Sequence, residues 1–130
     1  MSIAINYKNT TIKKNSSNNV LFVDEKFNIS GLKNHISSSE YAFISDLIKI
    51  RDPKKKILTF EISSKKKIIL VSLKKNISSS DVEKLGASFY DQFKDSSINK
   101  FNLNSDVMSI KQKNITGYFL HGLKLKSYSF

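Results

Sequence analysis

The sequence predicts an α/β domain on a mixed, mostly parallel sheet, with helices on both faces as a three-layer sandwich. Two apolar runs of strand length, 20–23 (Val-Leu-Phe-Val) and 68–73, are too apolar to leave a face to water. Two serine-led helix starts, at Ser37 and Ser80, each carry a glutamate three residues on. The order strand, hairpin, helix, strand, helix completes the argument, because helices so placed must pack on the sheet.

Each element has its own signal. Residues 3–7 alternate as a short strand, and 8–19 are polar and rich in Ser, Asn and Lys, as a loop is. Phe27, Ile29 and Leu32 anchor an irregular stretch around Gly31. Ser37 and Glu40 have capping-box spacing, and Tyr41, Ile44, Leu47 and Ile48 follow on one helical face. Pro53 ends that element, since the residue before a proline is driven out of the α region. In 57–62, Leu58, Phe60 and Ile62 share a face; 57–62 and 68–73 pair as a hairpin with the second strand mid-sheet. Ser80 and Glu83 open a second helix, whose buried stripe is Val82, Leu85, Phe89 and Phe93, with Gly86 allowing close approach to the sheet. Phe101 and Leu103 alternate as a strand, 106–113 is a polar connection, and Asn114 caps a last helix. Ile115, Phe119, Gly122 and Leu123 form its inner face.

The chain of 130 residues is long enough for one self-sufficient core. It has no cysteine, which excludes disulfides, cysteine zinc sites and thiol nucleophiles. No apolar run approaches the roughly 20 residues that span a bilayer, and 1–7 do not read as a signal peptide. A cytoplasmic protein with no membrane partner is expected. The two histidines, His35 and His121, have no metal-ligand spacing to another His, Asp or Glu. The carboxylates Asp46, Asp81, Glu83, Asp91 and Asp95 read as solvated helix positions or dipole partners. No glycine-rich phosphate motif occurs, and four glycines leave little room for a phosphate-cradling loop. No catalytic, cofactor-binding or metal-binding residue is therefore expected in this chain.

The net charge of +11 is the unusual quantity. Of 22 basic residues only Arg51 is an arginine, in a chain rich in Lys, Asn, Ile and Ser. A/T-rich codons would produce that bias, and arginine's fork, the usual reader of phosphate and bases, is nearly missing. The competing expectation is a nucleic-acid module, in which Lys54, Lys55, Lys56, Lys65, Lys66 and Lys67 form one basic patch where the hairpin ends meet. Charge beside these strands also guards against edge pairing.

The segment Gly117-Tyr118-Phe119-Leu120-His121-Gly122-Leu123-Lys124-Leu125-Lys126-Ser127-Tyr128-Ser129-Phe130 resembles the helix that closes the N-terminal domain of leucine aminopeptidases, also called cytosol aminopeptidases. In that family the helix runs into a Tyr-x-Phe pair, matched by Tyr128-Ser129-Phe130, and a linker of an acidic residue and a Tyr-Lys pair follows. Residues 68–74 resemble the family's apolar strand, and 81–93 the Gly- and Ala-containing helix after it. Ser72-Leu73-Lys74-Lys75 stands where the family has a Gly-Leu-Gly-Lys turn, so both glycines are absent. The likeness extends over residues 20–130.

The resemblance implies a macro-domain-like fold and a single N-terminal accessory domain over 1–130. The family's two divalent metals, zinc or manganese, lie in a C-terminal catalytic domain beyond it, so no functional residue carries over. The implied partners are that catalytic domain and further copies in a hexamer, with Tyr128 and Phe130 as an exposed interdomain surface. ADP-ribose binding, known of macro domains, would need a glycine-rich phosphate loop that this chain lacks.

Overall fold

Strand β1 (Asn18–Asp24) lies inside a four-stranded sheet of order β2-β3-β1-β4, with β2 at Ile57–Ser63, β3 at Lys66–Leu73 and β4 at Asn102–Asn104. β1 runs parallel to β3 and β4, while β2 is antiparallel to β3. The computed structural model describes residues 18–33, 36–63, 66–95, 101–104 and 115–127. Helices α1 (Ser38–Ile48), α2 (Ser79–Phe93) and α3 (Ile115–Ser127) complete the α/β architecture with its mixed, mostly parallel sheet. The chain divides into two compact units, the strands with α1 in one and α2 with α3 in the other.

Both faces of β1 and β3 are buried, which explains their unbroken apolar runs. On one face Leu21, Val23, Ile68, Leu70 and Phe60 form a core with Ile44 and Ile48 of α1. Phe27, Ile29, Leu32 and Ile36 join it from the segment between β1 and α1, which contains a 3-10 turn at Ser30–Leu32. β3 lies mid-sheet, as the hairpin predicts. β1 starts earlier than the sequence suggests: Asn18 and Asn19 belong to it, and Asn19 is buried between Ile68 and Asn102. Pairing on both sides overrides the polar composition that reads as loop.

The α1 capping box is formed. Ser37 Oγ accepts from the Glu40 backbone N–H at 3.2 Å, and a Glu40 carboxylate oxygen accepts from the Ser37 N–H at 2.9 Å. The helix ends at Ile48, five residues before Pro53, because Arg51 takes over its last carbonyl. Both the backbone N–H and the Nη1 of Arg51 donate to the Ile48 oxygen, at 3.2 and 2.9 Å.

In the helical unit, α2 starts earlier than predicted. Its cap is Ser78, whose Oγ accepts from the Asp81 N–H at 3.2 Å, and Ser80 is already helical. In a run of three serines the one with extended backbone takes the cap. The stripe Val82, Leu85, Phe89 and Phe93 is buried as expected. Gly86 serves a different neighbour from the one predicted. A Cβ there would strike the Phe119 carbonyl of α3, and one on Gly122 would strike the Glu83 carbonyl of α2. The two helices cross backbone to backbone, and Phe89 meets Phe119 edge-on at 5.5 Å. Among the described residues no helix is long and apolar enough to cross a membrane. The strand expected at 3–7, the connection 106–113 and the cap Asn114 lie outside the described residues.

Candidate functional site

Parallel strands end on a common edge, and in open α/β sheets ligands bind outside that carboxyl edge. Here β1 ends at Asp24 opposite Leu73, the last residue of β3. Antiparallel β2 begins at the same edge, where the Ser72 N–H donates to the Lys56 carbonyl at 2.8 Å. Three chain segments therefore meet there: 24–28 after β1, 51–56 before β2, and Lys74-Lys75 after β3.

The first segment is tightly turned. One Asp24 carboxylate oxygen accepts from the N–H groups of Lys26 (3.1 Å) and Asn28 (2.9 Å), and the Phe27 N–H donates to the Asp24 carbonyl at 3.0 Å. This holds Phe27 at φ 55, a left-handed conformation costly for a bulky side chain. Its ring is buried in the core, with the Arg51 guanidinium 5.1 Å from the ring centre. Arg51 is thus committed to Phe27 and to the Ile48 carbonyl. In the second segment Asp52 accepts from the Lys54 N–H at 2.9 Å, turning the chain so that Lys54, Lys55 and Lys56 face solvent. Lys26, Lys74 and Lys75 are exposed beside them. Seven cations (Lys26, Arg51, Lys54, Lys55, Lys56, Lys74, Lys75) thus share this edge with three carboxylates, Asp24, Glu25 and Asp52.

The structure does not gather the six lysines singled out in the sequence. Lys67 lies opposite Glu61, five residues along β2 from Lys56, a separation of about 17 Å. Lys54, Lys55 and Lys56 stand at one end of the hairpin and Lys66 and Lys67 at the other, because antiparallel strands bring the start of one to the end of its neighbour. Lys65 lies outside the described residues. The companions of Lys54, Lys55 and Lys56 are Lys74 and Lys75, which sequence reading overlooked. The signal was present: the hairpin prediction itself places the residues before its first strand beside those after its second.

At the opposite edge the two described lysines of β3 each face a carboxylate. Lys66 Nζ lies 2.6 Å from a Glu40 carboxylate oxygen, and Lys67 Nζ 3.4 Å from Glu61. Burial alone would push the Glu40 carboxyl up, but the hydrogen bonds from Lys66 and Ser37 and the lysine's charge outweigh it and hold it below its ordinary value.

His121 is an exposed residue whose Nδ1 is 3.3 Å from Glu83. His35, Tyr128 and Phe130 lie outside the described residues. Among the described residues no group of three or more His, Cys, Asp or Glu side chains is placed to hold a metal ion. In comparisons with protein-family models, curated proteins and solved structures, nothing matches this chain.

Proposed function

We propose that the chain is the non-catalytic N-terminal domain of a two-metal leucyl aminopeptidase, an enzyme that removes N-terminal residues from peptides. The observation that carries the reading is in the helical unit. The two stretches that resemble the family's helices, 81–93 and 117–127, fall in α2 and α3, and each contributes the glycine on which the other packs. Close backbone approach gives a physical reason for a small residue in each. The apolar strand β3 leading into α2, and α3 leading to Tyr128-Ser129-Phe130, follow the family's order.

On this reading the two divalent metals and the peptide site belong to a following catalytic domain in the cytoplasm. This domain shapes assembly, as part of a hexamer, and access to that site. The test is direct. The purified chain, supplied with zinc or manganese, should leave leucyl-p-nitroanilide intact and release the metal on gel filtration. Sustained turnover that depends on added metal would overturn the proposal.

A further inference from the structure

Helix α1 carries apolar side chains on two sides. Ile44 and Ile48 turn into the core and are buried. Phe43 and Ile50 turn the other way and are 44% and 79% exposed. The Ile50 N–H donates to the Leu47 carbonyl at 3.2 Å, which carries the helical turn on past Ile48. Residues seven apart on a helix point in nearly the same direction, about 10 Å from each other, so Phe43 and Ile50 stand on one outer stripe. Asp46 and Lys49, exposed on the same helix, offset each other at 4.0 Å. Beyond Ile50 the chain turns at Asp52, whose carbonyl accepts from the Lys55 N–H at 3.1 Å and whose carboxylate accepts from the Lys54 N–H at 2.9 Å. Even fully extended, the stretch from Ile50 to Lys54 would span at most about 14 Å, and the turn shortens it. Exposed Lys54, Lys55 and Lys56 are thus held close to exposed Ile50. From Ala42 to Lys56 five cations (Lys49, Arg51, Lys54, Lys55, Lys56) stand against two carboxylates, Asp46 and Asp52.

We infer that the outer face of α1, with the turn that leads into β2, docks on the surface of an anionic lipid bilayer. Phe43 and Ile50 enter the boundary between headgroups and acyl chains, and Lys54, Lys55 and Lys56 lie against the anionic headgroups. A peripheral contact of this kind needs two signals, apolar insertion and basic attraction, and neither suffices alone. Long lysine stems let the ammonium groups stay at headgroup level while the apolar side chains go deeper. The expectation of no membrane partner rests on the lack of a spanning segment, and surface adsorption requires none. A second copy fits less well, because it would bring two faces with the same excess of cations together. An acidic protein face also fits less well, because the dehydrated centres of protein interfaces are depleted of lysine. This inference does not depend on the aminopeptidase reading, and either can fail alone.

The experiment is co-sedimentation of the purified chain with phosphatidylcholine vesicles, pure or containing about 30% phosphatidylserine, at about 50 and about 500 mM KCl. Binding should require the anionic lipid. The triple variant Lys54→Gln, Lys55→Gln, Lys56→Gln should lose about 100-fold in affinity at low salt, about fivefold per lysine, and less at high salt. Ile50→Gln should lose about tenfold at both salts, because apolar insertion is not screened. Two controls remove exposed residues elsewhere: Leu125→Gln, and the triple Lys33→Gln, Lys84→Gln, Lys124→Gln. Both should stay within about threefold of the parent chain. Circular dichroism checks that every variant folds. The chain has no tryptophan, so Ile50→Trp introduces a single reporter whose emission should shift to the blue on anionic vesicles. No binding to anionic vesicles, equal losses in the controls, or an Ile50→Trp emission that does not move would overturn the inference. Affinity for duplex DNA without affinity for anionic vesicles would assign the lysines to a polyanion and overturn it as well.

Discussion

Lys66 Nζ sits 2.6 Å from the Glu40 carboxylate, joining the first turn of α1 to the first residue of β3. Glu40 meanwhile closes the capping box with Ser37, so one carboxylate fixes both the start of the helix and its place on the sheet. Glu40→Ala removes both functions and strands the lysine. It should cost about 2–4 kcal/mol in chemical denaturation, whereas Asp46→Ala, an exposed pair with Lys49, should cost under about 0.5 kcal/mol.

The same carboxylate sets an acid limit. Its pKa is lowered on folding, so its stabilisation is fully present above the ordinary value of 4.5 and is lost as pH falls through the lower folded value. The stability gap between the parent chain and Glu40→Gln should therefore be constant near neutrality and close below that value. Urea melts across acidic pH check it. A gap that persists unchanged at the lowest pH would contradict the assignment.

Gly86 and Gly122 should tolerate no side chain. In each alanine variant the new Cβ meets backbone, which cannot rotate away, so the helices must separate. A net loss of about 2–3 kcal/mol is expected, after the roughly 1 kcal/mol that alanine gains in helix propensity. Gly117 in α3 has open space at that position, and Gly117→Ala should stabilise by about 0.5–1 kcal/mol. Thermal melts of the three variants distinguish these signs.

The turn after β1 is held by Asp24. Asp24→Ala removes the acceptor for the Lys26 and Asn28 N–H groups and the brace for the left-handed Phe27. It should destabilise by about 1–2 kcal/mol. Amide exchange at Asn28 should also speed up more than exchange in mid-β3. Uniform acceleration would show that the turn is not a local brace.

Much of this fold is legible in the sequence, and the exceptions have physical causes. The runs 20–23 and 68–73 announce strands buried on both faces, and Ser37 with Glu40 announces a cap, because each signal depends only on local chemistry. The sequence does not single out Ser78, since three adjacent serines offer the same oxygen and only backbone conformation separates them. Periodicity places Gly86 on an inner face but does not say which element fills the space. The basic edge is of the same kind: Lys54, Lys55 and Lys56 stand out in the sequence, but strand register decides that they join Lys74 and Lys75 and part from Lys66 and Lys67. The Glu40–Lys66 pair was hidden for the same reason, because its partners lie on different elements.

If the chain is the accessory domain of a larger metallopeptidase, as proposed, the gene should encode more protein beyond the codon for Phe130, and sequencing it checks this. The reading frame should continue through an acidic residue and a Tyr-Lys pair into a domain with clustered Lys, Asp and Glu. A stop codon immediately after Phe130, or a continuing frame without such a domain, would contradict it.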